Sequence, residues 1–370
     1  MIALALTSFA LVLFTWGGYP LLVAALASLR RRPVPGDPGV AKARVSIIVA
    51  TVGDDDAIIE RINDLARSEY PKVLLDVVIA LDARRDTSTV RVPVCDLPVR
   101  IVRGDAPGGK AMALNAGVRA ATGELLVFTD LAQRFEPATI PRLVAALIAD
   151  ERLGAVSGAL YLTERRGRFS AANVYWHMER QLRGNEARLH SAVGVTGAVY
   201  AMRRALWAPL PEGLILDDLY APMQLVLRGY RIGFEGRALA HDARHFAPRE
   251  EYRRKARTLT GVLQLCAWLP GVLAPMRNPI WLQFVSHKLL RLATPYLLLA
   301  VAAGLAWQLA GVKPFGLPAW TWGAALVVAL APIGLSRRFR EAATGALYMQ
   351  AALIKAAMNA LRGEWDVWQH

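Results

Sequence analysis

The sequence predicts an α/β fold, a mostly parallel sheet flanked by helices, with apolar helical segments before and after it. Three observations carry that expectation. Between residues 45 and 257, short apolar runs alternate with stretches of helical spacing. Ile2–Leu29 is an uncharged run of 28 residues. Long apolar runs return after residue 257. Of the 370 residues, 54% are hydrophobic and 20% are charged, which excludes a disordered chain and a collagen-like repeat. Two cysteines, Cys95 and Cys266, cannot build a disulfide framework, and no CxxC pair offers zinc ligands. They read as free thiols in a reducing compartment.

The elements follow in order. Ile2–Leu29 exceeds the roughly 20 residues that a spanning helix needs. No basic residue precedes it, so residues 1–29 are expected to form a retained transmembrane helix rather than a cleaved signal peptide. Arg30, Arg31 and Arg32 follow at once. The positive-inside rule then places the following chain in the cytoplasm of a multi-pass inner-membrane protein. Residues 30–44 form a basic Pro/Gly linker. In the domain expected over 45–257, VSIIVA (45–50) is a buried strand and DAIIERINDLARS (56–68) has helical spacing. DVVIAL (76–81) and VRIVR (99–103) are strands, GKAMALNAGVRAA (109–121) is a helix and ELLVFT (124–129) a further strand. Strands alternating with helices imply parallel pairing with helices on both faces. Residues 258–291 are expected to lie at the membrane interface, because the uncharged Thr258–Met276 holds Pro270, Gly271 and Pro275. Residues 292–370 form a transmembrane region with spans at Leu292–Val312 and Pro314–Ser336. Arg337, Arg338 and Arg340 follow the second span. Ala342–Leu361 reads either as another span or as a surface helix, since Lys355, Gln350 and Asn359 interrupt it.

The formal net charge is +14. Residues 30–257 carry 35 basic and 27 acidic side chains, and residues 258–370 carry nine and three. The basic residues sit beside apolar runs. That suits membrane lipids or an anionic small molecule, and no nucleic acid is expected as a partner.

Ligands of parallel sheets bind beyond the carboxyl ends of the strands. Thr51, Asp82 and Asp130 stand at those ends. Asp82 can bind a ribose hydroxyl or a base edge, or can simply cap a turn. Gly104–Ala111, GDAPGGKA, nearly fits a phosphate loop. Ala111, however, replaces the hydroxyl that would hold magnesium, which argues against a phosphate-loop NTPase. Lys110 beside a helix N-terminus can still attract a phosphate, or can be a surface lysine after a glycine turn. Asp217 and Asp218 open a helical stretch. Repulsion between neighbouring carboxylates raises a pKa and suits a general base, although a helix start also favours acids for its dipole alone. The basic run around Arg254 and Arg257 can anchor anionic lipids.

Strand-end Asp82, GGKAMALNAG, strand-end Asp130, TGA at 196–198, the pair Asp217–Asp218 and Arg254-x-x-Arg257 occur in this order before apolar helices. The arrangement resembles the family 2 glycosyltransferases. It is closest to the membrane-embedded branch with the hyaluronan, chitin, cellulose and poly-N-acetylglucosamine synthases. The resemblance implies a GT-A-like fold and an inverting transfer from a nucleotide sugar, with a UDP-sugar as the expected donor, to a saccharide or lipid-linked acceptor. It implies that Thr51, Asp82, Lys110 and Asp130 bind the donor, Asp130 with a divalent metal, Mg or Mn. Asp218, beside Asp217, becomes the general base. Thr196, Gly197, Arg254 and Arg257 face the acceptor or the diphosphate. The chain departs from the pattern at Ala132, which stands at the second Asp of DxD, and at Thr258, which stands where processive members place a Trp. Two other readings fit parts of the sequence: a catalytically silent scaffold on a transferase fold, and a transporter with a cytosolic domain. A transporter would need more helices, which a homo-oligomer would supply.

Overall fold

The computed structural model describes residues 1–30, 42–86, 90–91, 93, 95–162, 171–244, 248–310, 351–363 and 365. The expected span at Pro314–Ser336, Arg337, Arg338 and Arg340, most of the linker, residues 311–312 and residues 342–350 lie outside the described residues. The chain forms two compact bodies. One comprises Met1–Leu22, Phe246–Leu263 and Leu282–Glu364; the other comprises Val23–His245, Gln264–Trp281 and Trp365–His370.

Helices α1 (Ile2–Leu13) and α2 (Tyr19–Ser28) join through a π-helical turn. The sheet-bearing body then runs β1 (Val45–Thr51), α3 (Asp55–Leu65), β2 (Leu75–Leu81), β3 (Val99–Arg103), α4 (Lys110–Ala120), β4 (Leu125–Thr129) and β5 (Arg134–Phe135). It continues through α5 (Thr139–Ile148), β6 (Leu153–Leu162), α6 (Ala171–Leu189), β7 (Tyr200–Arg203), α7 (Asp217–Leu227) and β8 (Arg231–Asp242). Helix α8 (Pro248–Trp268) and the short α9 (Trp281–Phe284) follow. A second π-helical turn, Val285–Leu289, leads into α10 (Leu290–Ala310).

The eight strands form one sheet in the order β3-β2-β1-β4-β7-β6-β8-β5. The parallel pairing expected from sequence holds for β3, β2, β1 and β4. Strand β7 lies antiparallel between β4 and β6, so the sheet as a whole is mixed. Because β4 and β6 both oppose β7, they point the same way, and β8 is parallel to β6. The carboxyl ends of β1, β2, β4, β6 and β8 therefore share one edge. Strands β1, β2 and β4 are buried apolar runs without alternation, as expected where helices cover both faces.

One polar side chain ties the opposite edge together. Ser46, fully buried in β1, donates its hydroxyl to Asp76 Oδ1 at 2.7 Å. It accepts from the backbone N–H groups of Thr122 and Gly123 at 3.1 and 2.8 Å. The α4–β4 turn is thus fixed against the start of β1.

Ile2–Ser28 and Trp281–Gln308 are helices of 27 and 28 residues, with mean hydropathy 1.8 and 1.7. By length and composition both can cross a membrane. Their contact uses small residues: a Cβ on Gly304 would overlap the Ala5 Cβ. Trp16 Nε1 donates to Thr294 Oγ1 at 3.2 Å, and the Arg291 guanidinium sits 5.2 Å from the Trp16 ring centre. Helix α8 runs unbroken through Thr258, so the expected boundary after residue 257 falls inside a helix. Its buried Gln264 donates to the Gly213 carbonyl and accepts from Ile215 N–H, each at 2.9 Å. That clamp fixes the segment leading into α7.

Ser46→Ala leaves the buried Gly123 N–H, and the part-buried Thr122 N–H, without their acceptor. At about 1–3 kcal/mol for the one buried group, the variant is expected to lose about 1–3 kcal/mol of stability in denaturant unfolding.

Candidate active site

Eight of the ten residues singled out from sequence converge at the shared carboxyl edge. The Thr51 carbonyl, at the end of β1, accepts from Asp82 N–H at 3.2 Å. Asp82, just beyond β2, accepts from the backbone N–H groups of Arg84 and Gly109 at 2.9 and 2.6 Å. Burial alone raises its pKa, but those N–H groups and the Arg84 guanidinium outweigh burial and hold the carboxylate below its usual value. Gly108 has φ +109°, and a Cβ there would fall 2.8 Å from Asp82 Oδ1. Only glycine lets the loop wrap this close.

Lys110 follows as the first residue of α4. Its Nζ lies 3.1 Å from Asp130 Oδ1 and 3.3 Å from Asp217 Oδ1. Lys110 is 26% exposed and Asp130 38%, so the cluster opens to solvent on the Asp130 side. Burial works against the ammonium charge, yet Asp130, Asp217 and Asp218 overcome it and raise the lysine pKa. Asp217 and Asp218 form the first turn of α7, where the helix dipole also favours acids. Asp218 Oδ2 accepts from Gly197 N–H at 3.3 Å. Burial first, and then the charge of Asp217, push the Asp218 pKa up, while Lys110 and Arg183 oppose them. Thr196 N–H donates to Ser157 Oγ at 2.9 Å, and Thr196 Oγ1 accepts from Arg183 Nη1 at 2.8 Å. Arg183 is in turn paired with Glu179 at 3.1 Å. The remaining two residues, Arg254 and Arg257, lie on the first half of α8, in the other body.

Other residues at this edge were given no role from the sequence. Gln133 is buried and donates to Asp242 Oδ2 at 2.7 Å, so it turns away from a ligand role. Arg61 is fully buried on α3; burial draws its pKa down to about 10, with Asp64 opposing, and it stays charged at neutral pH. A signal for Arg61 was present: it shares the helical stripe of Ile58, Ile62 and Leu65, where an apolar residue would be expected. Tyr200 stacks on Phe128 with ring centres 4.6 Å apart, and Phe128 stacks on Trp207 at 5.2 Å. The Tyr200 hydroxyl is buried and finds no hydrogen-bond partner among the described residues. Burial, reinforced by Asp217, Asp218 and Asp130, raises its pKa well above the usual phenol value.

With this geometry in view, a sequence model of the family described as Glycosyltransferase like family 2 matches residues 43–261. The chain belongs to glycosyltransferase family 2. Its fold is GT-A-like. The mannosyltransferase PcManGT from Pyrobaculum calidifontis, solved with GDP-Man and Mn2+, is 26% identical with a TM-score of 0.71. The match covers 98% of this chain and 99% of that one. S. aureus TarS in complex with UDP-GlcNAc matches at 16% identity and TM-score 0.40, over 71% of this chain and 88% of that one. Glucosyl-3-phosphoglycerate synthase from Mycobacterium tuberculosis, with Mn2+, UDP and phosphoglyceric acid, matches at 19% and 0.44, over 64% and 84%. No curated protein sequence matches significantly.

The family 2 cluster suits a divalent ion in one respect: a cation, the Lys110 ammonium, is already held between two carboxylates. Carboxylate oxygens are the hard donors that Mg and Mn take, and such ions are commonly held by one or two carboxylates plus substrate phosphates. Among the described residues no three His, Cys, Asp or Glu converge as a ligand set. Ala132 offers no donor, and of the DxD positions Asp130 alone could hold an ion that arrives with a diphosphate.

Tyr200→Phe removes a buried hydroxyl that has no partner to lose. The variant is expected to melt at the same temperature as the native protein or higher, by up to the equivalent of about 1–2 kcal/mol; a clear loss of stability would reveal a hydrogen bond to that hydroxyl.

Proposed function

We propose that this family 2 enzyme is an inverting glycosyltransferase that moves a sugar from a nucleotide sugar to a saccharide or lipid-linked acceptor at a membrane surface. The observation that carries the reading is Asp218. It is half-buried, its pKa is raised, its carboxylate is oriented by Gly197 N–H, and it stands beside the Lys110–Asp217 pair. A carboxylate so placed is a stronger base than an ordinary one and can take the acceptor's proton.

An acceptor hydroxyl attacks the anomeric carbon of the donor and passes its proton to Asp218. The bond from that carbon to the diphosphate oxygen breaks, and its electron pair leaves with the diphosphate. A single displacement inverts the anomeric centre. Thr51 and Asp82 hold the nucleoside end, and Lys110 sits where the diphosphate charge grows. Thr196 and Gly197 border the acceptor side; the role of Arg254 and Arg257 toward the diphosphate or acceptor rests on the sequence resemblance. When bound at Asp130, Mg or Mn neutralises charge on the leaving group. The resemblance in the sequence implied a UDP-sugar. The likeness to PcManGT, which holds GDP-Man, supports a GDP-sugar as the second donor class, so a panel of both is the first assay.

The reading includes a short product. Thr258 is exposed on α8, and its hydroxyl donates to the Arg254 carbonyl at 3.0 Å. It offers an acceptor sugar far less area than an indole would. The two apolar helices and Arg30–Arg32 support a membrane protein whose transferase domain faces the cytoplasm.

Asp218→Asn keeps the shape and cannot accept the proton. Its turnover is expected to fall by about 10²–10⁴-fold while donor affinity, read by calorimetry, stays near native; native turnover would remove Asp218 from the mechanism. Asp217→Asn tests the electrostatics. Asp217 raises the Asp218 pKa, so without that charge Asp218 remains ionised to lower pH. The acid limb of the pH–rate profile should therefore move to lower pH, and a limb that moves upward or stays in place contradicts the assignment.

A further inference from the structure

Arg61 is a charge in a place built for an apolar side chain. Ile58 and Ile62 beside it on α3 are fully buried, and Arg61 itself is 0% exposed. Replacing a buried ion pair by well-packed apolar residues is often neutral or stabilising, so fold stability alone does not account for a guanidinium here.

Its contacts all point at one loop, the turn from β4 to β5 that carries Asp130. Arg61 Nη1 pairs with Asp64, and Nη2 donates to Thr129 Oγ1 at 2.6 Å. Thr129 Oγ1 donates onward to the Asp130 carbonyl at 3.3 Å. Asp64 accepts from Phe135 N–H at 3.1 Å, and the guanidinium lies 4.4 Å from the Phe135 ring centre. The pair therefore grips the loop at both ends, at Thr129 and at Phe135. One residue earlier on the helix, Glu60 pairs with Arg134 at 2.9 Å, and Arg134 Nη1 donates to the Leu131 and Gln133 carbonyls at 2.9 and 3.2 Å. A single helix thus holds this segment at three residues, Thr129, Arg134 and Phe135.

We propose that Arg61, acting with Asp64, is a positioning residue that aims the Asp130 carboxylate at the cation–diphosphate group of the donor. The inference rests on the reading of Asp130 given above. The physical need follows from Ala132. A site with two carboxylates from one loop restrains itself by chelation. With a single carboxylate, the aim of the ligand has to come from the backbone that carries it, and here that backbone is held through Thr129 and Phe135.

The test uses the full-length protein in detergent. Manganese affinity is read by electron paramagnetic resonance in the presence of saturating guanosine or uridine diphosphate. Affinity for the same nucleotide is read separately with chelator present, and melting is followed alongside. Arg61→Met is expected to weaken manganese binding by about 10–100-fold, the range seen when a residue supporting a metal ligand is lost. Chelator-insensitive nucleotide binding, which depends on the Asp82 side, should stay within about twofold of native. Arg61→Lys should restore part of the manganese affinity, because an ammonium can pair with Asp64 without also reaching Thr129. Native manganese affinity in a folded Arg61→Met protein overturns the proposal, and so does an equal fall in both affinities. If Arg61→Met does not fold, Thr129→Val takes its place: weaker manganese binding with unchanged nucleotide binding supports the proposal, and native manganese binding overturns it. Asp130→Asn separates the two levels. Loss of manganese binding there, with none in Arg61→Met, overturns the positioning role alone. Unchanged manganese binding in Asp130→Asn overturns the reading of Asp130 and the inference with it.

Discussion

The site depends on one ammonium group held between carboxylates from two distant parts of the chain. Lys110 reaches Asp130 at the end of β4 and Asp217 at the start of α7. Without it, Asp130, Asp217 and Asp218 would face one another across a half-buried edge, and like charges at that range repel strongly where water is scarce. The lysine relieves the repulsion without cancelling it. Burial, joined by the repulsion that remains, shows as the raised pKa of Asp218. A transferase needs both properties in one place, a positive field for a leaving diphosphate and a carboxylate able to take a proton.

The surrounding fold keeps these groups apart yet within reach. Parallel strands β1, β2 and β4 end at one edge and deliver Thr51, Asp82 and Asp130 there. The tight loop at Gly108 brings Lys110 to the same edge. The antiparallel β7 starts from that edge, so the loop before it supplies Thr196 and Gly197 beside Asp218. Gln264 on α8 secures the approach to α7 from below. Each support is a hydrogen bond to backbone, which fixes where a strand or helix ends and therefore where its side chain begins.

Much of the fold was legible because it is local. Buried strands such as VSIIVA read as continuous apolar runs, and α3 as a stripe at helical spacing. Their observed ends differ from expectation by at most a few residues, as at α3, which spans Asp55–Leu65. The reversal at β7 was not legible. Nothing in YAMR distinguishes an antiparallel strand from a parallel one, because direction is decided by where the chain comes from. The stripe also concealed Arg61: helical spacing shows which residues face inward, but not that an inward charge has found Asp64 and Thr129.

The sequence by itself determined the α/β class, the apolar helices and which polar residues end the strands of the shared edge. Those properties follow from periodicity, from strand-end position and from motif order, all of which are written along the chain. Only the tertiary structure decided how the residues are joined. It placed Lys110 between Asp130 and Asp217, set Gln133 against Asp242 instead of toward a ligand, and left the Tyr200 hydroxyl buried beneath the acidic cluster without a partner among the described residues. The physical reason is distance. Electrostatic coupling and hydrogen bonding act over a few ångströms in space, and the partners here are separated by up to 109 residues in sequence.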